Sequence, residues 1–291
     1  DSLSRIDIHQ EYMSIINEGE QIMPITQIGS QQIYYDEYGS GTPIILIPGL
    51  GANRFSWMKQ ISSLSDQYHI INLDNRDAGS SGESTGQYDI TDMVFDIAGL
   101  IENLSLKSVC VIGISMGGFI AQYLALNYSQ YISKIVLVST SAGGPTHLYP
   151  KPEILSLLNQ NSDNDTRTRM YRLFSLITNP SFGINKAREI ERLVDNALKS
   201  PMSHEAYMRQ LAAAKTHNII GTRKQLHKIL IPTLVIHGEN DPIIPFENGI
   251  ILSKEIPNAH FLPLTNVGHL PHIEATEIFN RAIMEFIGNY K

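Results

Sequence analysis

The stretch that decides the fold is VCVIGISMGGFIAQYLALNY, residues 109–128. It begins with a short apolar run, typical of a buried parallel strand, and continues with apolar residues at helical spacing. Between the two lies Gly113-Ile114-Ser115-Met116-Gly117, which fits the pattern Gly-x-Ser-x-Gly. In this pattern a nucleophilic serine sits on a sharp strand-to-helix turn, and the glycines keep side chains out of its crowded approaches. Ser115 is therefore the candidate nucleophile.

The sequence on both sides of this stretch alternates between strand and helix patterns. Strands are predicted at 21–28, 32–38, 43–47, 68–73, 135–138, 233–237 and 260–264. Helices are predicted at 53–64, 90–104 and 270–287. This alternation predicts an α/β fold with a mostly parallel sheet and helices on both faces. Ligands bind beyond the carboxyl ends of such strands, so the loops after residues 47, 73, 112 and 138 should share one edge with Ser115.

Residues 143–230 carry no strand pattern, and prolines separate their helical segments at 151–160, 167–177, 187–198 and 204–216. We interpret this insertion as a helical cap over the site, with extra packing helices as the alternative. The predicted organisation is an N-terminal extension at 1–20, a core domain at 21–142 and 231–291, and a helical cap at 143–230.

A serine hydroxyl needs a general base, normally a histidine that is itself oriented by a carboxylate. His269 follows the last predicted strand, and Asp241 lies in the loop after the strand at 233–237. The order Ser115, Asp241, His269 is the order expected for this triad on such a sheet. Glu239, in the same loop as Asp241, is the alternative acid.

Two other histidines compete with this assignment. His237 belongs to the end of a predicted strand, and His272, one helical turn after His269, is expected to have a structural or pocket-lining role. No His-x-x-x-His or His-Glu-x-x-His spacing occurs, so no metal site is predicted.

Acyl transfer also needs two donors for a tetrahedral oxyanion. The backbone amide of Met116, at the start of a helix, is one candidate. The amide of Leu50 is the other, because the glycines on both sides of it allow close approach of the backbone. Phe55 and Trp57 follow this loop and are candidates for the substrate pocket, with a place in the core as the alternative.

The composition excludes several classes of function. The chain has 291 residues, 42% of them hydrophobic, and a formal net charge of −7, which argues against nucleic acid as a partner. No stretch approaches the ~18–20 consecutive apolar residues of a membrane span, and no secretory signal pattern occurs. A cytoplasmic location is the default expectation, although the sequence starts at Asp1 and a removed leader stays open.

Motifs in a fixed order make the chain resemble the α/β-hydrolase superfamily over nearly its whole length. They are PGLG at 48–51, DNRDAGSS at 74–81, GISMGG at 113–118, GENDP at 238–242 and GHLP at 268–271. The resemblance implies an eight-stranded α/β-hydrolase fold with a helical cap. It also implies the roles of nucleophile for Ser115, acid for Asp241, base for His269, and oxyanion donors for the amides of Leu50 and Met116.

The chain departs from many members of this superfamily at two places. Pro48 stands where many have histidine, and Arg76-Asp77-Ala78-Gly79 stands where many read Arg-Gly-x-Gly. The second variant resembles the aclacinomycin methylesterase group, and the overall layout also resembles 3-oxoadipate enol-lactonases. A serine at position 115 disfavours dehalogenase and epoxide hydrolase chemistry, which use aspartate there in this superfamily.

The sequence therefore predicts a serine hydrolase of small carboxylic esters or lactones that forms an acyl-enzyme and uses no cofactor. A carbon–carbon bond hydrolase, a thioesterase or a perhydrolase on the same triad is the alternative. A non-catalytic small-molecule receptor that kept the pocket is the alternative from another class.

Overall fold

The computed structural model describes residues 24–159 and 166–288. The N-terminal extension predicted at 1–20 and the first residues of the strand predicted at 21–28 lie outside the described residues. The strands are β1 (Ile25–Ile28), β2 (Gln31–Tyr38), β3 (Thr42–Ile47), β4 (Tyr68–Leu73), β5 (Val109–Ile114), β6 (Ile132–Val138), β7 (Thr233–Gly238) and β8 (Ala259–Leu264).

These strands form one sheet of eight in the order β1-β2-β4-β3-β5-β6-β7-β8. β2 pairs antiparallel with β1 and with β4, whereas all pairs from β4 to β8 along the sheet are parallel. The mostly parallel eight-stranded sheet predicted from the sequence is thus confirmed. β5, which carries the Gly-x-Ser-x-Gly turn at its end, lies near the middle of the sheet between β3 and β6.

The helices are α1 (Met58–Leu64), α2 (Ile90–Asn103), α3 (Met116–Asn127), α4 (Pro152–Asn159), α5 (Thr166–Ile177), α6 (Pro180–Asn185), α7 (Ala187–Leu198), α8 (His204–Ile220), α9 (Glu247–Glu255), α10 (Pro271–Glu274) and α11 (Thr276–Gly288). Short 3-10 helices occupy Arg54–Trp57 and Arg223–Lys228. Helices α4 to α8 all lie between β6 and β7, within the stretch predicted as a cap, and are called the cap helices. Among the residues that the structure describes, no helix is long and apolar enough to cross a membrane.

Both faces of the sheet are covered because successive side chains of a strand point to opposite faces. Val111 packs into a core with residues of α2, α3 and α9, and its neighbour Ile112 packs into a second core with residues of α1 and α11. All six residues of β5 are buried. This double burial explains why the strand reads as a continuous apolar run in the sequence.

The structure differs from the predicted elements at three helices. α6 and α9 were not predicted, and the helix predicted at 270–287 is two helices separated at Ala275, whose backbone is not helical (φ −130°, ψ 46°). α6 has only six residues, too few to show a helical period, although Asn179 caps it and Pro180 starts it. α9 contains Gly249, where a Cβ atom would lie only 2.5 Å from Nδ1 of His237.

Three of the buried histidines outside the Ser115, Asp241 and His269 set have strongly lowered pKa values. Desolvation by burial lowers the pKa of His147 to about 4 and the pKa values of His217 and His272 to about 3. These imidazoles are therefore neutral in the folded protein, whereas in the unfolded chain they titrate near pH ~6.5. The unfolded state binds protons first on acidification, so the free energy of unfolding falls from about pH 6.5 down to about pH 3.

We expect His217→Phe to reduce this pH dependence, because the ring of His217 stacks on Phe119 at 4.0 Å and a phenyl ring can replace it without titrating. Between pH 7.5 and 5 the fall in the free energy of unfolding should be smaller by about 2 kcal/mol. Only the ~1.5 pH units below the unfolded pKa of ~6.5 contribute, at ~1.4 kcal/mol per unit. Urea unfolding at the two pH values measures the difference. His260→Gln, at an exposed position, is the control. An unchanged difference for His217→Phe would contradict the assignment of this effect to His217.

Candidate active site

Ser115 lies on the turn between β5 and α3 with an unusual backbone conformation, φ 54° and ψ −118°. The flanking glycines permit it: a Cβ atom at Gly113 would lie 2.2 Å from the carbonyl oxygen of Gly117. The turn is anchored on both sides, since the Ser115 amide donates to Val138 O at 2.9 Å and Thr140 Oγ1 donates to Ser115 O at 2.7 Å. Such strain persists only where the surroundings fix it, and it lifts the hydroxyl above the end of the sheet.

His269 and Asp241 form a hydrogen-bonded pair beyond β7 and β8. Nδ1 of His269 lies 2.8 Å from Oδ2 and 3.0 Å from Oδ1 of Asp241. Oδ1 of Asp241 also accepts hydrogen bonds from the amides of Ile243 and Ile244, at 2.8 and 2.9 Å. Because a carboxylate accepts only, Nδ1 of His269 carries the proton and Nε2 is left as the basic nitrogen.

Asp241 stays ionised although it is buried. Burial alone would raise its pKa, but electrostatic attraction to His269 and the hydrogen bonds from His237 and His269 outweigh burial and hold the pKa of Asp241 well below its usual value. An ionised carboxylate beside an imidazole favours the protonated form of that ring, which is what a general base requires of its partner.

The loop of His269 is held by contacts that no motif indicated. The His269 amide donates to Ile177 O of α5 at 2.7 Å. The carboxylate of Glu274 accepts from the amides of Gly268 at 2.9 Å and Leu270 at 3.0 Å, the residues before and after His269. Glu274 thus acts as a local clamp on the loop that carries the imidazole.

His237 also touches the acid. Its side chain is completely buried, and its Nε2 lies 3.3 Å from Oδ2 of Asp241 and 2.9 Å from Ile244 O. Both neighbours of Nε2 are acceptors, so this nitrogen carries the proton. Asp241 therefore lies between two imidazoles. The sequence predicts His237 at the strand end but carries no signal for this contact, since a four-residue separation indicates proximity only within a helix.

The loop after β3 runs beside Ser115. A Cβ atom on Gly49 would lie 3.2 Å from Cβ of Ser115, so even a methyl group on the loop would crowd the serine. In the described part of the chain, the amides of Leu50 and Met116 donate to no protein acceptor. Two unused backbone donors beside a serine are the arrangement that an oxyanion requires.

Ser115 and His269 face a cavity of about 500 Å³ between the sheet edge and the cap helices. Its walls are mostly apolar side chains of α5, α7 and the loops around them, including Met170, Leu173, Phe174, Ile177, Leu193 and Met202. Arg169 and Arg172 also line it, and no acidic side chain of the described residues does. Asp241 lies behind His269, away from the cavity.

Phe55 and Trp57, by contrast, do not line this cavity. Trp57 is completely buried in the core, with its ring centroid 4.7 Å from that of His272 and 6.4 Å from that of Phe279. The ring of Phe55 lies between cations, 4.6 Å from the guanidinium of Arg54 and 4.8 Å from Nζ of Lys199. Neither side chain lines the cavity, so the structure corrects their assignment to the substrate pocket. His272 does line the cavity.

The departure at Arg76-Asp77-Ala78-Gly79 has a structural reason. Asp77 adopts φ 67°, a region that favours glycine, and its carboxylate binds Arg209 of α8 at 2.8 and 2.9 Å. The unusual aspartate therefore ties the loop after β4 to the cap helices. Arg76 itself binds Asp96 of α2 at 2.6 and 2.7 Å. Among the described residues, no three His, Cys, Asp or Glu side chains cluster so as to hold a metal ion.

Comparison with known proteins agrees with this architecture. A 2-hydroxy-6-oxononadienedioate/2-hydroxy-6-oxononatrienedioate hydrolase of Cupriavidus pinatubonensis is 31% identical, over 89% of this chain and 91% of its own length. 3-oxoadipate enol-lactonase 2 of Acinetobacter baylyi is 28% identical, over 82% of this chain and 86% of its own. The solved structure of an esterase from Exiguobacterium antarcticum superposes with a TM-score of 0.77 at 25% identity, covering 91% of this chain and 98% of that one.

The family described as alpha/beta hydrolase fold matches residues 42–276. The match begins at the first residue of β3 and ends at the first residue of α11, so it contains the serine turn, the cap helices and the pair of Asp241 and His269. The chain therefore belongs to the α/β-hydrolase family.

Proposed function

We propose that this α/β-hydrolase cleaves small carboxylic esters or lactones through an acyl-enzyme intermediate on Ser115. The observation that carries the proposal is the hydrogen bond of 2.8 Å between Nδ1 of His269 and Oδ2 of Asp241, with His269 and Ser115 facing the same cavity. This pair supplies the oriented base that a serine needs to act as a nucleophile at neutral pH.

In the proposed reaction, Oγ of Ser115 attacks the carbonyl carbon of the substrate while Nε2 of His269 takes its proton. Asp241 stabilises the resulting imidazolium. The carbonyl oxygen becomes an oxyanion that accepts from the amides of Leu50 and Met116, the second of which starts α3 where the helix dipole favours negative charge. The imidazolium then returns the proton to the leaving alkoxide. Water attacks the acyl-enzyme by the same route and frees the acid.

The cavity supports a substrate with an apolar part. An apolar wall excludes water and favours an acyl or alcohol group of matching shape, while the reacting carbonyl meets the polar groups at the sheet edge. The 3-oxoadipate enol-lactonase among the relatives supports a lactone as one form of this substrate. A panel of p-nitrophenyl esters of increasing acyl length, with lactones and thioesters alongside, tests the proposal. The proposal would be contradicted if the protein hydrolysed no ester and no lactone of the panel.

A carbon–carbon bond hydrolase is the second candidate, favoured by the relative from Cupriavidus pinatubonensis. The substrate in that relative's name is a 6-oxo dicarboxylate without an ester, so its hydrolysis must break a carbon–carbon bond. Arg169 and Arg172 line the cavity, and a guanidinium group is a common partner of a carboxylate such as those in the name of that relative's substrate. Adding a 2-hydroxy-6-oxo-dienoate to the panel decides between the two candidates by the ratio of their kcat/KM values.

The cap helices should decide which substrate fits. Leu173 of α5 lines the cavity, whereas Leu176 of the same helix is 43% exposed and lies outside it. We expect Leu173→Ala to change the ratio of kcat/KM between a short and a long ester. The change should correspond to ~1–3 kcal/mol in activation free energy, because the variant removes wall contacts that distinguish chain lengths.

Leu176→Ala is the matched control and should leave this ratio unchanged. Steady-state kinetics on two p-nitrophenyl esters that differ only in acyl length give the ratio. If Leu173→Ala altered both substrates by one factor, or altered only the thermal stability, the cap would have a packing role alone.

A further inference from the structure

Helix α8 of the cap reaches the loop that carries one of the two proposed oxyanion donors. Gln210 is completely buried, its Oε1 accepts from the Gly51 amide at 3.0 Å, and its Nε2 donates to Arg76 O at 2.9 Å. The two partners fix the orientation of the Gln210 side-chain amide. The Gly51 N–H must face its oxygen, and the Arg76 carbonyl group must face its NH₂ group. Gln210 thus bridges the loops after β3 and β4.

The loop held by Gln210 is a tight turn with Leu50 inside it. The Ala52 amide donates to Gly49 O at 3.2 Å, and Gly51 adopts φ 70°, as the third residue of a type II turn requires. Gln210 binds the N–H of the peptide between Leu50 and Gly51, which is the central peptide of this turn.

A second side chain holds the same loop on the other side of Leu50. Asn75 Nδ2 donates to Pro48 O at 3.1 Å. Buried side-chain amides therefore hold the peptide after Leu50, through Gln210, and the Pro48–Gly49 peptide, through Asn75. The Leu50 amide between them has no protein acceptor in the described ranges 24–159 and 166–288 and stays available to a substrate oxygen.

Tyr207 packs on the same turn from α8. A Cβ atom at Gly51 would lie 3.2 Å from its ring, so the ring covers the turn at the one residue with positive φ. The hydroxyl group of Tyr207 donates to Leu158 O of α4 at 2.9 Å. One face of α8 thus combines a hydrogen bond and a ring contact on Gly51, and both contacts restrict rotation of the turn.

We propose that Gln210 is a positioning residue that aligns the Leu50 amide with the oxyanion formed at Ser115. The proposal rests on the proposed function, since it concerns the oxyanion of acyl transfer. Without the Gln210 amide, the Gly51 N–H and the Arg76 carbonyl group lose their partners, and a turn that contains two glycines can rotate. A misaligned donor matters most when negative charge develops on the substrate oxygen, so the defect appears in kcat rather than in KM.

The test compares Gln210→Met, which keeps the side-chain length and removes both hydrogen bonds, with Arg209→Met. Arg209 lies on the same helix and binds Asp77, but in the described residues it makes no hydrogen bond to residues 48–51. Gln210→Met should lower kcat by about 10- to 100-fold with KM within about twofold of the parent. A trifluoromethyl ketone, whose tetrahedral hemiketal adduct with Ser115 would mimic the oxyanion, should bind more weakly by a similar factor.

Arg209→Met should keep kcat within about threefold even if the thermal midpoint falls, because it disturbs the cap without touching the turn. If Gln210→Met is not folded, Gln210→Glu is measured instead, since it keeps an acceptor for Gly51 but loses the donor to Arg76. Unchanged kcat in the Gln210 variant, or an equal fall in Arg209→Met, would overturn the proposal. Labelling of the parent protein by a fluorophosphonate distinguishes failure of the Gln210 proposal from failure of the proposed function. If only the Gln210 proposal fails, the parent is still labelled and active; if the proposed function fails, the parent is neither.

Discussion

Ser115→Ala is expected to remove nearly all hydrolytic turnover while the fold remains intact. The hydroxyl is the only group that Ser115 adds to the turn, and its backbone is held by Val138 and Thr140 through main-chain atoms that alanine retains. A triad acts as a unit, so loss of the nucleophile should lower kcat by about 10⁴- to 10⁶-fold.

The measurement is kcat on the best ester of the panel, together with the thermal midpoint of the same preparation. Ser62→Ala is a matched control, because among the described residues this exposed hydroxyl bonds only within its own helix, to Lys59 O. Activity of Ser115→Ala within about tenfold of the parent, which is less than ~1.4 kcal/mol in the barrier, would reject Ser115 as the nucleophile.

Asp241→Asn should have the second largest effect, a fall of about 10⁴-fold in kcat. Oδ1 of Asp241 accepts from the amides of Ile243 and Ile244, so the carbonyl oxygen of an asparagine would keep that place. Its NH₂ group would then face Nδ1 of His269. A donor at that position forces Nδ1 to accept, which moves the proton to Nε2 and removes the base that Ser115 needs.

Glu239→Gln is the control for this variant, because Glu239 lies in the same loop but is exposed. Its effect on kcat should stay within about threefold, since no reacting group depends on an exposed carboxylate. The pH profile of kcat/KM adds a second readout. A larger fall for Glu239→Gln than for Asp241→Asn would transfer the role of the acid to Glu239.

The parts of the site that follow backbone rules were predictable from the sequence. Parallel strands that all end at one edge bring Ser115, Asp241 and His269 to the same place, because each of these residues follows the end of its strand by only a few positions. The turn around Ser115 was predictable for the same reason, since Gly113 and Gly117 are required by backbone contacts of about 2 Å that a Cβ atom would make.

The contacts made by the cap were not predictable. Gln210 and Gly51 are 159 residues apart, and neither helical period nor motif indicates which face of α8 meets the loop after β3. Phe55 and Trp57 were misplaced because their position just after the loop of Leu50 does not show which way a side chain points, and Trp57 packs in the core instead. Asp77 was visible as a departure from a motif, but its partner Arg209 required the fold.

The most direct test of the account is labelling by a fluorophosphonate probe, followed by identification of the modified residue by peptide mass spectrometry. The probe reacts with a serine only where a base and oxyanion donors activate it. We predict one labelled residue, Ser115, with labelling abolished in Ser115→Ala and slowed strongly in Asp241→Asn. A folded parent protein that is not labelled, or is labelled at another serine, would contradict the assignment of Ser115 as the nucleophile of this hydrolase.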